Sequence, residues 1–68
     1  MRANIIITST KHKPVSIPYA TIGEADKAFT RVLKATNEMF AKDQVDREIR
    51  MESVKGKVYR SAKVAGEN

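Results

Sequence analysis

The stretch from Asp43 to Val64 reads DQVDREIRMESVKGKVYRSAKV, and its periodicity decides the fold. Upstream of it, apolar residues recur at helical spacing. If that stripe continued, positions 43, 44 and 47 would be apolar, and they are Asp, Gln and Arg. Period two takes over instead. Val45, Ile49 and Met51 share one face with Arg47 and Ser53, and Asp46, Glu48, Arg50 and Glu52 form the other. Lys55-Gly56 suits a two-residue hairpin turn, because glycine reaches positive φ without steric cost. That turn sets Arg47 against Val64, Ile49 against Ala62, Met51 against Arg60 and Ser53 against Val58. On the other face Glu48 meets Lys63 and Glu52 meets Tyr59. One register thus joins the apolar positions and also makes an opposite-charge pair. The competing reading continues the helix through Glu52, since Arg, Glu and Met are good helix formers.

Working back from Asp43, the helix starts at Thr21-Ile22-Gly23-Glu24, which matches a capping box. Thr21 can accept from the Glu24 amide, and Glu24 can reach back to the Thr21 amide. Ile22, Ala25, Phe29, Val32, Leu33, Thr36, Met39 and Phe40 fall in one arc. Lys27, Thr30, Arg31, Lys34, Asn37, Glu38 and Lys42 fall opposite. The expected helix is about 20 residues long, roughly 30 Å.

Ala3 to Thr10 predicts a strand, because Ile5-Ile6-Ile7 is β-branched and stiff. Apolar residues on both faces make it central. Val15, Ile17 and Tyr19 alternate with Ser16 and Pro18 in a second strand. Pro14 and Pro18 cannot donate to a ladder, so that strand belongs at an edge. The expectation is an α+β domain, ββαββ, with one antiparallel sheet in the order 2-1-3-4 and a single helix across one face. The crossover should be right-handed. Residues 1–64 make the domain and residues 65–68 a loose tail.

The 68 residues allow one small core and a stability of a few kcal/mol. There is no Cys, so no disulfide framework or thiolate metal site, which fits a reducing, cytoplasmic location. The longest apolar run, Ile5 to Ile7, is far short of a membrane span, so no membrane partner is expected. The net charge is +5. Its excess lies in Arg2, Lys11 and Lys13 at one end of the chain and in Lys55, Lys57, Arg60 and Lys63 at the other. Such an excess either aids solubility or favours anionic partners.

No catalytic set is visible. His12 is the single His, lies between lysines, and has no orienting acid nearby in sequence. It reads as a solvated loop residue. Asp43, Asp46, Glu48 and Glu52 form the one carboxylate cluster, but Arg50 lies among them, so a salt-bridged strand surface outweighs a cation site. Gly23 stands alone at the strand-to-helix turn, with no phosphate-loop pattern after it. No catalytic residue, metal or cofactor is therefore expected. Lys55, Lys57, Tyr59 and Lys63 on the last hairpin, with Lys11 and Lys13 in the first loop, are the candidate partner-binding residues. Basic residues around an aromatic can hold phosphates and stack a base. The ridge of Lys27, Arg31 and Lys34 reads as a solvated helix face.

From Val15 to Ala25 the sequence VSIPYATIGEA carries a short strand through Tyr and Ala into a Thr-capped helix. That junction resembles one in a small phage-encoded inhibitor of bacterial RNA polymerase, and similar junctions occur in antitoxins and other compact α+β modules. Size, charge and the missing catalytic set also resemble phage host-takeover proteins, including anti-CRISPR proteins, which act by occupying a surface. The inhibitor's functional residues have no matches here, so none are carried over. The missing catalytic set, the small size and the asymmetric charge, together with this resemblance, lead to the expectation of a non-enzymatic protein-binding module, an inhibitor or regulator of a larger, nucleic-acid-handling complex, with an acidic protein surface or a multi-subunit complex as its partner. The alternative is a nucleic-acid-binding module using the basic hairpin. A homodimer is also considered, because Ile6 projects away from the helix, Tyr59 is expected on that same face, and the fourth strand leaves an open edge.

Overall fold

The computed structural model describes residues 2–66. The elements run β1 (Ala3–Ser9), β2 (Val15–Tyr19), α1 (Ile22–Asp43), β3 (Arg47–Ser53) and β4 (Val58–Val64). All strand pairs are antiparallel, in the order β2-β1-β3-β4. β2 and β3 flank β1 and run parallel to each other, so α1 is the crossover between them. The ββαββ expectation holds. β1 is one residue shorter than expected, and β3 begins at Arg47 although Val45 is buried.

Why the helix stops at Asp43 is visible locally. Gln44 takes a left-handed conformation with φ of 56°, and its backbone N–H donates to the Phe40 carbonyl at 2.8 Å. Its side-chain Nε2 donates to the same oxygen at 3.0 Å. That cap closes the last turn and rules out the long-helix reading. At the other end the Thr21 hydroxyl accepts from the Glu24 amide at 3.1 Å. The reciprocal half of the expected capping box does not form among the described residues.

The helix covers the sheet face that carries Ala3, Ile5, Ile49 and Met51. Phe29, Ile5 and Ile49 are the largest fully buried side chains. Ala28, absent from the expected arc, is buried because its small side chain lets the helix sit close to the strands. Met39, expected in the arc, is 47 % exposed. Thr36 is buried and satisfies its hydroxyl by donating to the Val32 carbonyl at 2.7 Å. The helix is too polar to span a membrane, and no helix among the described residues is long and apolar enough to do so.

The β3–β4 hairpin departs from expectation at its tip. The turn is three residues, Val54-Lys55-Gly56, not two. The Gly56 amide donates to the Ser53 carbonyl at 3.0 Å, and the Ser53 amide to the Lys57 carbonyl at 2.8 Å. Gly56 sits at φ of 91°, the left-handed position that follows a type I turn in a three-residue hairpin. The extra loop residue displaces the pairing by one. A register shift between Met51 and Glu52 then restores it: Glu52 pairs with Val58, Met51 with Arg60, and Tyr59 has no partner. Beyond the shift the expected pairs stand, including Arg47–Val64, Glu48–Lys63 and Ile49–Ala62. Glu52 therefore does not face Tyr59, and Ser53 does not face Val58.

The shift also decides where Tyr59 lies. Strict alternation puts it on the open face; it packs instead against the core cluster on the helix side. Arg60 projects to the same side. Its guanidinium lies 4.4 Å from the Phe29 ring centroid and bonds Asp26 at 2.8 Å. Stacking and an exposed ion pair together contribute about 1 kcal/mol. Arg60→Ala should lower the melting temperature by several degrees, and Arg60→Lys should recover only part of the loss, because an ammonium does not stack as a planar guanidinium does. Equal melting of all three proteins would contradict this.

Val64 ends the last strand. Ala65 and Gly66 continue past it, and the Gly66 amide donates to Asp46 at 3.2 Å. Residues 67 and 68 of the expected tail lie outside the described residues.

Candidate binding site at the hairpin tip

The six candidate residues do not form one site. Ala3 pairs with Ser53 at one end of the sheet, and Ser9 pairs with Arg47 at the other. The hairpin tip therefore sits at the Ala3 end. Lys11, Lys13 and Lys63 sit at the Ser9 end, separated by the length of a seven-residue strand, about 20 Å.

At the tip Lys55 and Lys57 are held by Ser53, whose hydroxyl accepts from both of their amides at 3.2 and 3.1 Å. Lys57 Nζ stands 5.5 Å from the centroid of the Tyr59 ring. The strand pairing adds Arg2, which precedes Ala3. Arg2, Ser53, Val54, Lys55, Lys57 and Tyr59 line a cleft of about 250 Å³. Val54 is 63 % exposed and Tyr59 half-buried. The cleft thus has an apolar floor, three cations around it and no acid in its lining. None of these cations pairs with a described carboxylate; the ion pairs among the described residues use Arg47, Arg50 and Arg60. Sequence reading missed Arg2 and Ser53. The signal for Arg2 was the β1–β3 register, which periodicity alone does not supply.

Lys63 opposes Glu48 in register but makes no ion pair with it. Glu48 and Glu52 instead flank Arg50, with oxygens 4.0 and 3.3 Å from its Nε. The Arg50 Nε is buried and, despite the short contact to Glu52, makes no hydrogen bond with it. The open sheet face is therefore charged, with Ile6 half-buried opposite Arg50. It is not the apolar face, with Tyr59 on it, that a homodimer formed through this face requires.

At the Ser9 end the first loop is organised by the Ser9 hydroxyl, which accepts from the His12 amide at 2.9 Å. Lys13 and His12 rim a crevice of about 270 Å³ floored by Ile7, Val15, Thr36 and Met39, with Arg47 beneath. The carboxylate cluster of the sequence is dispersed over separate partners. Asp43 grips Arg47 with bonds of 3.2 and 2.7 Å, and the Arg47 side chain is only 7 % exposed. Asp46 accepts from Gly66. Among the described residues no group of three or more His, Asp or Glu is placed to hold a metal ion.

The Arg47 guanidinium, with help from the Val45 amide, holds the Asp43 carboxyl at about 2, below its ordinary 3.8. A depressed carboxyl pKa contributes stability that is full above the unfolded value and lost as pH falls through the folded one. The protein should therefore lose stability between about pH 4 and pH 2. Asp43→Asn should flatten that segment of the melting-temperature profile and lower the plateau near neutral pH. An unchanged acid limb would remove Asp43 from this role.

Comparison with protein-family models, with curated proteins and with solved structures finds no match to this chain.

Proposed function

We propose that the protein is a non-enzymatic binding module that docks its hairpin tip on an acidic protein surface of a larger complex, acting there as an inhibitor or regulator. One observation carries the reading: Arg2, Lys55 and Lys57 surround Val54 and Tyr59 in a cleft lined by no acid. Apolar area gives such a contact its affinity, and the surrounding charge steers approach and selects the partner. Likeness of the Val15–Ala25 junction to that of a small phage-encoded inhibitor of bacterial RNA polymerase, and of the chain's size and charge to phage host-takeover proteins, supports the inhibitory form, and a cytoplasmic setting goes with it.

Protein is favoured over nucleic acid by two placements. Sheet platforms that read single strands present their aromatics on the open face. Here Tyr59 lies on the helix side, and Glu48 and Glu52 occupy the open face. Affinity capture from the source cell, with and without nuclease, tests the reading. The expected result is a protein partner retained after nuclease. Loss of all bound material on nuclease treatment would overturn it. So would a salt dependence with a log–log slope of about −0.9 per phosphate contacted.

A further inference from the structure

The two edges of the sheet are built differently. β2 contains Pro18, and Pro14 stands just before it, which blunts that edge against further pairing. β4 runs seven residues with neither proline nor acid.

Hydrogen-bond alternation fixes which β4 groups face outward. Pro18 has no N–H, so Asn4–Pro18 is a non-hydrogen-bonded pair, and Asn4 turns its backbone groups towards Glu52 on β3. Successive residues of β3 alternate. Glu52, Arg50 and Glu48 thus bond β1, and Met51, Ile49 and Arg47 bond β4. The Ser53 amide, bonded to the Lys57 carbonyl, fits the same alternation. Opposite Arg50 and Glu48 lie Ser61 and Lys63. Their N–H and C=O groups therefore point away from the sheet.

We propose that this edge accepts an extended acidic segment of the protein partner as a fifth strand, bonded to the backbone of Ser61 and Lys63. The proposal rests on the protein-binding reading above and adds to the tip a second contact along the edge of β4. Charge selects the occupant. Lys63 stands on the open face at this edge and Lys57 at its hairpin end, neither in an ion pair among the described residues, whereas Arg60 is taken up by Asp26 on the helix side. A second copy of β4 would bring its own cations to a strand that has no acid. A segment with acids at alternate positions places them on the open face beside Lys63, which stands one strand beyond Glu48 and Glu52; those two are turned to Arg50 on β3. Its remaining side chains then lie beside Ala62 and Tyr59. Ser61 and Ala62 are small and leave the centre of the edge accessible to another backbone.

The probe is a synthetic peptide of alternating Glu and Val, matched in length to β4 and titrated into the isotope-labelled full chain. The expected result is slowed amide exchange at Ser61 and Lys63. Methylating the peptide nitrogens of either the glutamates or the valines should weaken binding by about tenfold or more for the set that faces β4. Ser61→Pro removes an outward N–H and no bond to β3, and should weaken binding by the same order while circular dichroism stays native. Four results would each overturn the proposal: no binding of the parent peptide, undiminished binding of both methylated forms, equal binding of a Lys-Val peptide, or a two-chain mass that Ser61→Pro returns to one. Such a failure would leave the tip reading standing if nuclease-resistant capture still depends on Lys55 and Lys57.

Discussion

Phe29→Ala should leave the chain unfolded at room temperature. Phe29 is 1 % exposed, the largest of the fully buried side chains, and the residue on which the Arg60 guanidinium stacks. Truncating a buried phenylalanine costs about 3–5 kcal/mol, combining lost transfer energy with the cavity left behind. A 68-residue domain has a total stability of about the same size. The cavity would not close readily, because Phe29 packs between the helix and the sheet core of Ile5, Ile49 and Met51. Phe29→Leu keeps most of the volume and should melt at a lower temperature but cooperatively. A cooperative melt of Phe29→Ala near the wild-type temperature would mean that the core is not centred here.

Lys55→Glu with Lys57→Glu should weaken partner binding at least about tenfold, since like charges brought together at a contact cost about 1.4 kcal/mol or more. The fold should survive. Both side chains are exposed at the turn, and what organises the turn is the Ser53 hydroxyl and the left-handed Gly56, neither of which changes. The melting temperature should fall by no more than a few degrees, since the lost contact of Lys57 with Tyr59 removes about 0.5 kcal/mol. Lys63→Glu alone should have a smaller effect on the tip contact, because Lys63 lies at the far end of the strand. Unchanged binding by the double variant would leave the tip charge as a solubility feature, and the His12–Lys13 crevice would be the next surface to examine.

Both predictions draw on features that differed in how far the sequence revealed them. The loss of helical phase at Asp43, the prolines of β2 and the isoleucines of β1 each constrain backbone geometry directly, and strand order followed from them. The Glu48–Lys63 and Ile49–Ala62 pairs were legible because inward and outward residues alternate along each strand. The tip was not. A three-residue turn and a compensating shift leave the distant register unchanged, so nothing in the alternation of β3 signals them. Only Gly56 does, and glycine serves two- and three-residue turns alike. The shift sent Tyr59 to the helix side. Arg2 joined the tip and Asp26 joined Arg60 through contacts between segments far apart in the chain, for which the sequence pattern carries no marker. Asp43 and Arg47 are four residues apart, yet their pairing depends on the left-handed Gln44 between them.

The most direct test of the tip as the binding surface is site-specific photo-crosslinking in the source cell. A photoactivatable phenylalanine analogue replaces Val54 in one variant and Lys34, on the exposed helix ridge, in another. Val54 lines the basic cleft and is 63 % exposed, so the substitution alters neither core nor turn bonds. The account predicts a protein adduct from position 54 that resists nuclease and disappears when Lys55 and Lys57 are reversed in charge, with no such adduct from position 34. An adduct from position 34 and none from position 54, or adducts to nucleic acid alone, would contradict it.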